Sequence, residues 1–122
     1  MTSVVLDFDG VLHSYITPWT GAGKVNDVPV EGVIKFLHNL LSSYDFRVII
    51  FSTRNFQDKG ISAMIKWLLD NGLTKEETDR IVFPTEKPAE ADVFIDDRNI
   101  EFNGVFPSPQ KLKDFKPWNK RK

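Results

Sequence analysis

Four aspartates in two tight groups carry the strongest chemical signal in the chain: Asp7 with Asp9, and Asp96 with Asp97. Each group ends a short apolar run, Val4-Val5-Leu6 in the first case and Val93-Phe94-Ile95 in the second. Extended backbone points residues i and i+2 to the same side, so Asp7 and Asp9 share one side of a strand end. If the two runs are neighbouring strands, four carboxylates converge. Two unit charges ~4 Å apart repel by about 4 kcal/mol when the effective dielectric is ~20. Such a cluster needs a cation or must hold protons. The chain has no cysteine, and no histidine falls within the cluster. The donors are then hard oxygens, which suit Mg²⁺.

Other residues suggest what the ion does. A carboxylate attacking a phosphate approaches an anion, and a divalent ion with a lysine offsets that repulsion. Lys87 lies in the loop just before the Asp96 strand and is the lysine best placed for this. Ser52 ends another apolar run and can hydrogen-bond a phosphoryl oxygen; Thr53 takes that place if the strand runs one residue further.

These residues need a scaffold that delivers them to one edge. Buried strands are predicted at residues 4 to 6, 46 to 51, 81 to 83 and 92 to 95, with a short fifth at 105 to 106. Val33, Phe36, Leu37, Leu40 and Leu41 repeat at helical spacing and predict a helix over 30 to 43. Ile61, Met64, Ile65, Leu68 and Leu69 do the same, with Asn71-Gly72 as the stop. Thr74-Lys75-Glu76-Glu77 matches a capping box for a further short helix. Alternating strands and helices predict an α/β fold with a parallel sheet covered on both faces. Ligands in such sheets bind beyond the carboxyl ends of the strands, where the polar clusters fall. Residues 11 to 29 follow no period and form a long loop or irregular hairpin, a flap beside the site. Its Tyr15 and Trp19 either stack on a base or anchor the loop to the core.

Taken in order, Asp7-Phe8-Asp9-Gly10-Val11, Val48-Ile49-Ile50-Phe51-Ser52, Lys87-Pro88 and Phe94-Ile95-Asp96-Asp97-Arg98 resemble the four motifs of the haloacid dehalogenase-like superfamily. The resemblance spans residues 4 to 98, about four-fifths of the chain. It implies a three-layer Rossmann-like sheet with helices on both faces. It also implies a Mg²⁺-dependent phosphatase with an aspartyl-phosphate intermediate. Asp7 would be the nucleophile. Asp9 would protonate the leaving group and then activate water, while its main-chain carbonyl binds Mg²⁺. Ser52 would hold the phosphoryl group and Lys87 would orient it together with Asp7. Asp97 would ligate Mg²⁺ directly, and Asp96 would support it or ligate through water. The gaps between motifs leave no room for a cap domain, so the chain resembles a capless member with an open site. The Asp-Asp-Arg ending is similar to the phosphatase half of polynucleotide kinase-phosphatases. Arg54 and Arg98 are then candidate substrate-binding residues unless they pair with nearby acids.

Composition sets the outer bounds. The chain has 122 residues and a net charge of −1, the size of one domain, with no charge-driven choice of partner. Residues 110 to 122 carry six basic side chains against one acid, a tail that can meet an anionic partner or simply be solvated. The amino terminus lacks a positive region before its short apolar run, and no stretch approaches the roughly 18 apolar residues of a membrane span. A cytoplasmic protein without membrane contact is expected. Gly21-Ala22-Gly23-Lys24 is no phosphate-binding P-loop, since Pro18 and Val25 stand where that motif needs Gly and Ser or Thr. His13 and His38 are too few and too far apart for zinc. Three readings stay open: a phosphomonoesterase of nucleotides or other small esters, a nucleic-acid 3′-phosphatase, and a binding module that keeps Mg²⁺ without turnover. An open site also leaves room for an oligomer that supplies a lid.

Overall fold

A computed structural model describes residues 1 to 88 and 90 to 120. Strands β1 (Thr2–Leu6), β2 (Phe46–Ile50) and β3 (Val93–Ile95) form a parallel sheet in the order β2-β1-β3. Parallel neighbours need long crossovers, and these hold the helices α1 (Val33–Leu41), α2 (Gly60–Asp70) and α3 (Lys75–Asp79). A last short helix, α4 (Pro109–Lys113), buries none of its residues. No helix among the described residues is long and apolar enough to cross a membrane.

The core follows the strand alternation. Val4 and Leu6 of β1 pair in register with Val48 and Ile50 of β2. All four join one buried cluster with Val33, Leu37, Leu40 and Leu41 of α1 and Met64, Trp67 and Leu68 of α2. Val5 and Ile49 point to the opposite face and are also buried. The β3 edge stays half exposed through Val93 and Phe94.

Register also levels the strand ends. Leu6 pairs with Ile50 on one side and with Ile95 on the other. Asp7 and Asp96 therefore leave the same sheet edge one residue beyond their strands, and Ser52 follows two residues beyond β2. Two further bonds carry the ladder past the strands: Asp7 N–H donates to Ile95 O at 3.0 Å, and Phe51 N–H to Leu6 O at 3.0 Å.

Three elements depart most from those read in the sequence. The strand expected at 81 to 83 is reduced to one parallel bridge between Val82 and Ile49. Pro84 follows at once, and a proline has no N–H to extend the ladder. Helix α1 starts at Val33 rather than near residue 30, because Gly32 has φ +85° and cannot belong to a right-handed helix. Residues 105 to 106 form no strand: the chain bends after Gly104 at φ +96°, and Val105 and Phe106 are exposed. The capping box is present as read. Thr74 Oγ1 accepts from Glu77 N–H at 3.1 Å, and Glu77 accepts from Thr74 N–H at 3.0 Å.

Candidate functional site

The level strand ends put Asp7, Asp96 and Asp97 side by side. One carboxylate oxygen from each lies within 4.8 Å of the others. Burial raises the pKa of Asp7 to about 7, helped by the charges of Asp96 and Asp97 and opposed by the Phe8 N–H donated to its carboxylate. Asp97 is raised as well, first by burial. Without a cation, the pair therefore retains a proton close to neutrality. Asp97 Oδ1 is buried and has no hydrogen-bond partner among the described residues, although such atoms are nearly always satisfied. An orphaned carboxylate oxygen beside two further carboxylates is a donor set that a hard divalent cation completes. Gly10 makes room for the Asp97 side chain. Its φ is +86°, and a Cβ there would collide with Asp97 Oδ2.

Asp9 lies outside this triad. Its carboxylate faces Arg54, which donates from Nε to Oδ2 at 2.9 Å and from Nη2 to Oδ1 at 3.0 Å. This is the two-pronged pairing that guanidinium geometry favours. His13 meets the same carboxylate at 2.8 Å through Nδ1. Asp27 N–H donates to His13 Nε2 at 3.0 Å, so Nε2 carries the lone pair and Nδ1 the proton. Burial pushes Asp9 up, but His13 and Arg54 together hold it below the usual carboxylate range. The resemblance assigns the Asp9 side chain to proton transfer and only its main-chain carbonyl to Mg²⁺; the side chain is held in this ion pair, with the guanidinium on both oxygens.

Arg54 occupies a different position from the one anticipated for a substrate contact. It is 1% exposed. Besides Asp9, its Nη1 donates to Ala22 O at 2.9 Å and Lys24 O at 3.0 Å. It thus clamps the 11 to 29 loop against the sheet. Trp67 Nε1 reinforces the clamp by donating to Asp27 O at 2.8 Å. The loop is an irregular hairpin with isolated bridges from His13 to Asp9 and to Pro29, anchored at several points along its length.

A cleft of about 580 Å³ opens over the strand ends, lined by Asp7, Asp9, Tyr15, Trp19, Ser52, Thr53, Gln57 and Arg98. Ser52 Oγ accepts from Arg54 N–H at 3.2 Å, which leaves its own O–H to donate. Thr53 opens the 3₁₀ turn that follows, so both hydroxyl candidates border the cleft. Lys87 does not line it. Its ammonium lies over the Phe94 ring, 5.9 Å from the centroid, where the ring face attracts a cation. Asp96 accepts from Arg98 N–H at 2.8 Å, a local turn that presents Arg98 at the cleft.

Several residues of the site escaped the sequence reading. His13 suits no zinc site in the sequence, and its partners Asp9 and Asp27 sit 4 and 14 residues away with no motif to join them. Trp118 reaches back across the chain to donate its indole N–H to Gly10 O at 2.9 Å. Gln57 borders the cleft with nothing in the sequence to mark it. The basic tail falls elsewhere: Lys111, Lys113 and Lys116 line a separate hollow of about 780 Å³ with Asn99 and Ile100. Arg121 and Lys122 lie outside the described residues. Comparison with protein-family models, curated proteins and solved structures finds no match.

Proposed function

We propose that this chain is a Mg²⁺-dependent phosphomonoester hydrolase, a capless member of the haloacid dehalogenase-like type with its three-layer sheet. One observation carries the reading: three parallel strands end level, Asp7 and Ser52 line one cleft, and Asp96 and Asp97 each bring a carboxylate oxygen within 4.8 Å of Asp7. The ordered motifs supply the same residues. Mg²⁺ held by Asp7, Asp97 and Asp96 would lower the charge on a bound phosphate and keep Asp7 ionised.

The cycle then uses the chain's own groups. Ser52 O–H donates to a phosphoryl oxygen, and Arg98 attracts the dianion into the cleft. An Asp7 carboxylate oxygen attacks phosphorus; a P–O bond to Asp7 forms as the P–O bond to the leaving group breaks. The departing alkoxide takes a proton from Asp9. Water next attacks the aspartyl-phosphate, giving its proton to Asp9 and releasing inorganic phosphate from Asp7. The pairing of Asp9 with Arg54 and His13 favours its carboxylate, the form that activates water. The protonated form needs that pairing to loosen when substrate enters.

Hydrolysis of para-nitrophenyl phosphate tests the reading. Turnover should require Mg²⁺ and should fall at least about 1,000-fold in Asp7→Asn, the scale of losing a covalent nucleophile. Beryllofluoride should bind wild type and not the variant. A folded wild type that neither turns over nor binds beryllofluoride would leave a non-catalytic binding module instead. The lysines of the hollow lined by Asn99, the residue after Arg98, support a second reading, a nucleic-acid 3′-phosphatase. In that case activity on a 3′-phosphorylated oligonucleotide should fall steeply with salt.

A further inference from the structure

The cleft is much larger than a phosphate group, and its aromatic wall has no part in the chemistry above. Trp19 is 43% exposed and lines the cleft. Behind its ring lies the Arg54 guanidinium, 4.5 Å from the centroid. Arg54 is itself locked by Asp9 and the loop carbonyls, so the indole rests on a fixed support. A tryptophan that only anchors a loop looks different. Trp67 is 6% exposed, with its N–H bonded to Asp27 O. Among the described residues, no hydrogen bond uses the Trp19 indole N–H.

Tyr15 adds a second observation. It lines the same cleft at φ +54°, in the left-handed region that side chains other than glycine rarely occupy. Such strain persists where surrounding structure enforces it, often at ligand sites. Here His13, fixed between Asp9 and Asp27, packs 6.0 Å from the Tyr15 ring. Gln57 donates to Thr53 O at 3.3 Å, leaving its carbonyl oxygen free to accept in the cleft. Two aromatic rings, an amide and an arginine next to the strand ends describe a place for a flat polar ring joined to a phosphate.

The geometry points to a phosphate ester whose leaving group carries a heteroaromatic ring, the chemistry of a nucleotide, stacked on Trp19 with Tyr15 as a further wall. This rests on the phosphohydrolase reading for its phosphate end. Trp19 is then a specificity residue that touches the leaving group and leaves the reacting atoms alone.

Equilibrium binding to the Asp7→Asn protein with Mg²⁺ tests the ring contact without turnover. Adenosine 5′- and 3′-monophosphate are compared with ribose 5-phosphate by calorimetry. Stacking of one base predicts a preference for the nucleotides of roughly 5- to 150-fold. Trp19→Ala should remove most of that preference, and Trp19→Phe should keep part of it. Thermal denaturation of both variants shows whether the loop stays folded. Equal affinity for ribose 5-phosphate and the nucleotides overturns the inference, as does an equal loss for all ligands in Trp19→Ala or no binding by any of them. A 3′-phosphorylated oligonucleotide separates the two sources of the ring. Tighter binding than the mononucleotide, with strong salt dependence, identifies a strand end; otherwise the ligand is a free nucleotide. If the ring preference appears but wild type hydrolyses no phosphate, the phosphohydrolase reading fails and the stacking site stands. If wild type hydrolyses ring-free and ring-bearing esters equally well, the reverse holds.

Discussion

Asp7 and Asp9, two residues apart, meet opposite electrostatic fates. Asp7 is buried beside acidic neighbours; Asp9 has a guanidinium and an imidazole N–H. The raised pKa of Asp7, about 7, has a consequence for stability. Its folded value lies above its ordinary value of 3.8, so the folded state binds a proton more tightly than the unfolded state does. Stability from this group is fully present below that ordinary value and is lost as pH rises towards 7. Metal-free protein should therefore melt at lower temperature at pH 8 than at pH 5.5, and Asp7→Asn should flatten that slope. A variant with the wild-type slope would show that Asp7 is not the group responsible. The Asp9–Arg54 pair should behave in the opposite way. Removing one partner leaves a buried charge alone, so Arg54→Ala should cost about 3–5 kcal/mol in urea denaturation. Combining Asp9→Asn with Arg54→Met should cost less than the sum of the single changes, because the two groups are in contact. Additive losses would mean that the pair is uncoupled.

Among the elements, short helices are held by their ends. Helix α3 has five residues, too few to be stable alone. Its capping box and the hydrogen bond that Glu77 accepts from His38 Nδ1 of α1 hold it in place. Thr74→Ala should cost about 0.5–2 kcal/mol. Burial raises Glu77, but the Thr74 N–H and His38 outweigh it and hold its pKa below 4.5. That support is present above the ordinary value and fades as pH falls through the lowered one. The stability gap between wild type and Glu77→Gln should accordingly be wide at pH 7 and close near pH 3. At the start of α2, a Cβ on Gly60 would collide with Arg54 O. Gly60→Ala should thus disturb the clamp as well as the helix, and the loss should exceed the small gain an exposed helical Gly→Ala normally brings. A more stable Gly60→Ala protein would show that the helix can move away freely.

Across the whole molecule, the two ends of the chain meet at the site. Trp118 donates to Gly10 O over a separation of 108 residues, and Gly10 is the residue that makes room for Asp97. Trp118→Phe keeps an aromatic ring and removes the donor. It should lower stability by about 0.5–1.5 kcal/mol, the net value of one hydrogen bond. It should also lower the affinity of metal-depleted protein for Mg²⁺, read by calorimetry, if the carboxyl-terminal segment braces the Gly10 turn. An unchanged affinity would confine Trp118 to packing.

The sequence by itself determined the parallel sheet, the helical spacing of α1 and α2, the α3 capping box and the carboxylates at strand ends. Each of these depends on local periodicity or on contacts a few residues apart, which sequence records directly. Level strand ends follow from the buried rows Val4–Val48 and Leu6–Ile50, since a one-residue slip would turn every side chain to the wrong face. Only the tertiary structure decided which charges pair. Asp9 and Arg54 lie 45 residues apart and meet once the loop folds over the sheet. There a fixed guanidinium fork holds a carboxylate that the motif alone would leave free for proton transfer. Lys87 is the same lesson reversed. It precedes β3 in the chain, yet its long flexible side chain settles over Phe94, because a charge at the end of four methylenes goes where the surrounding field and surface direct it.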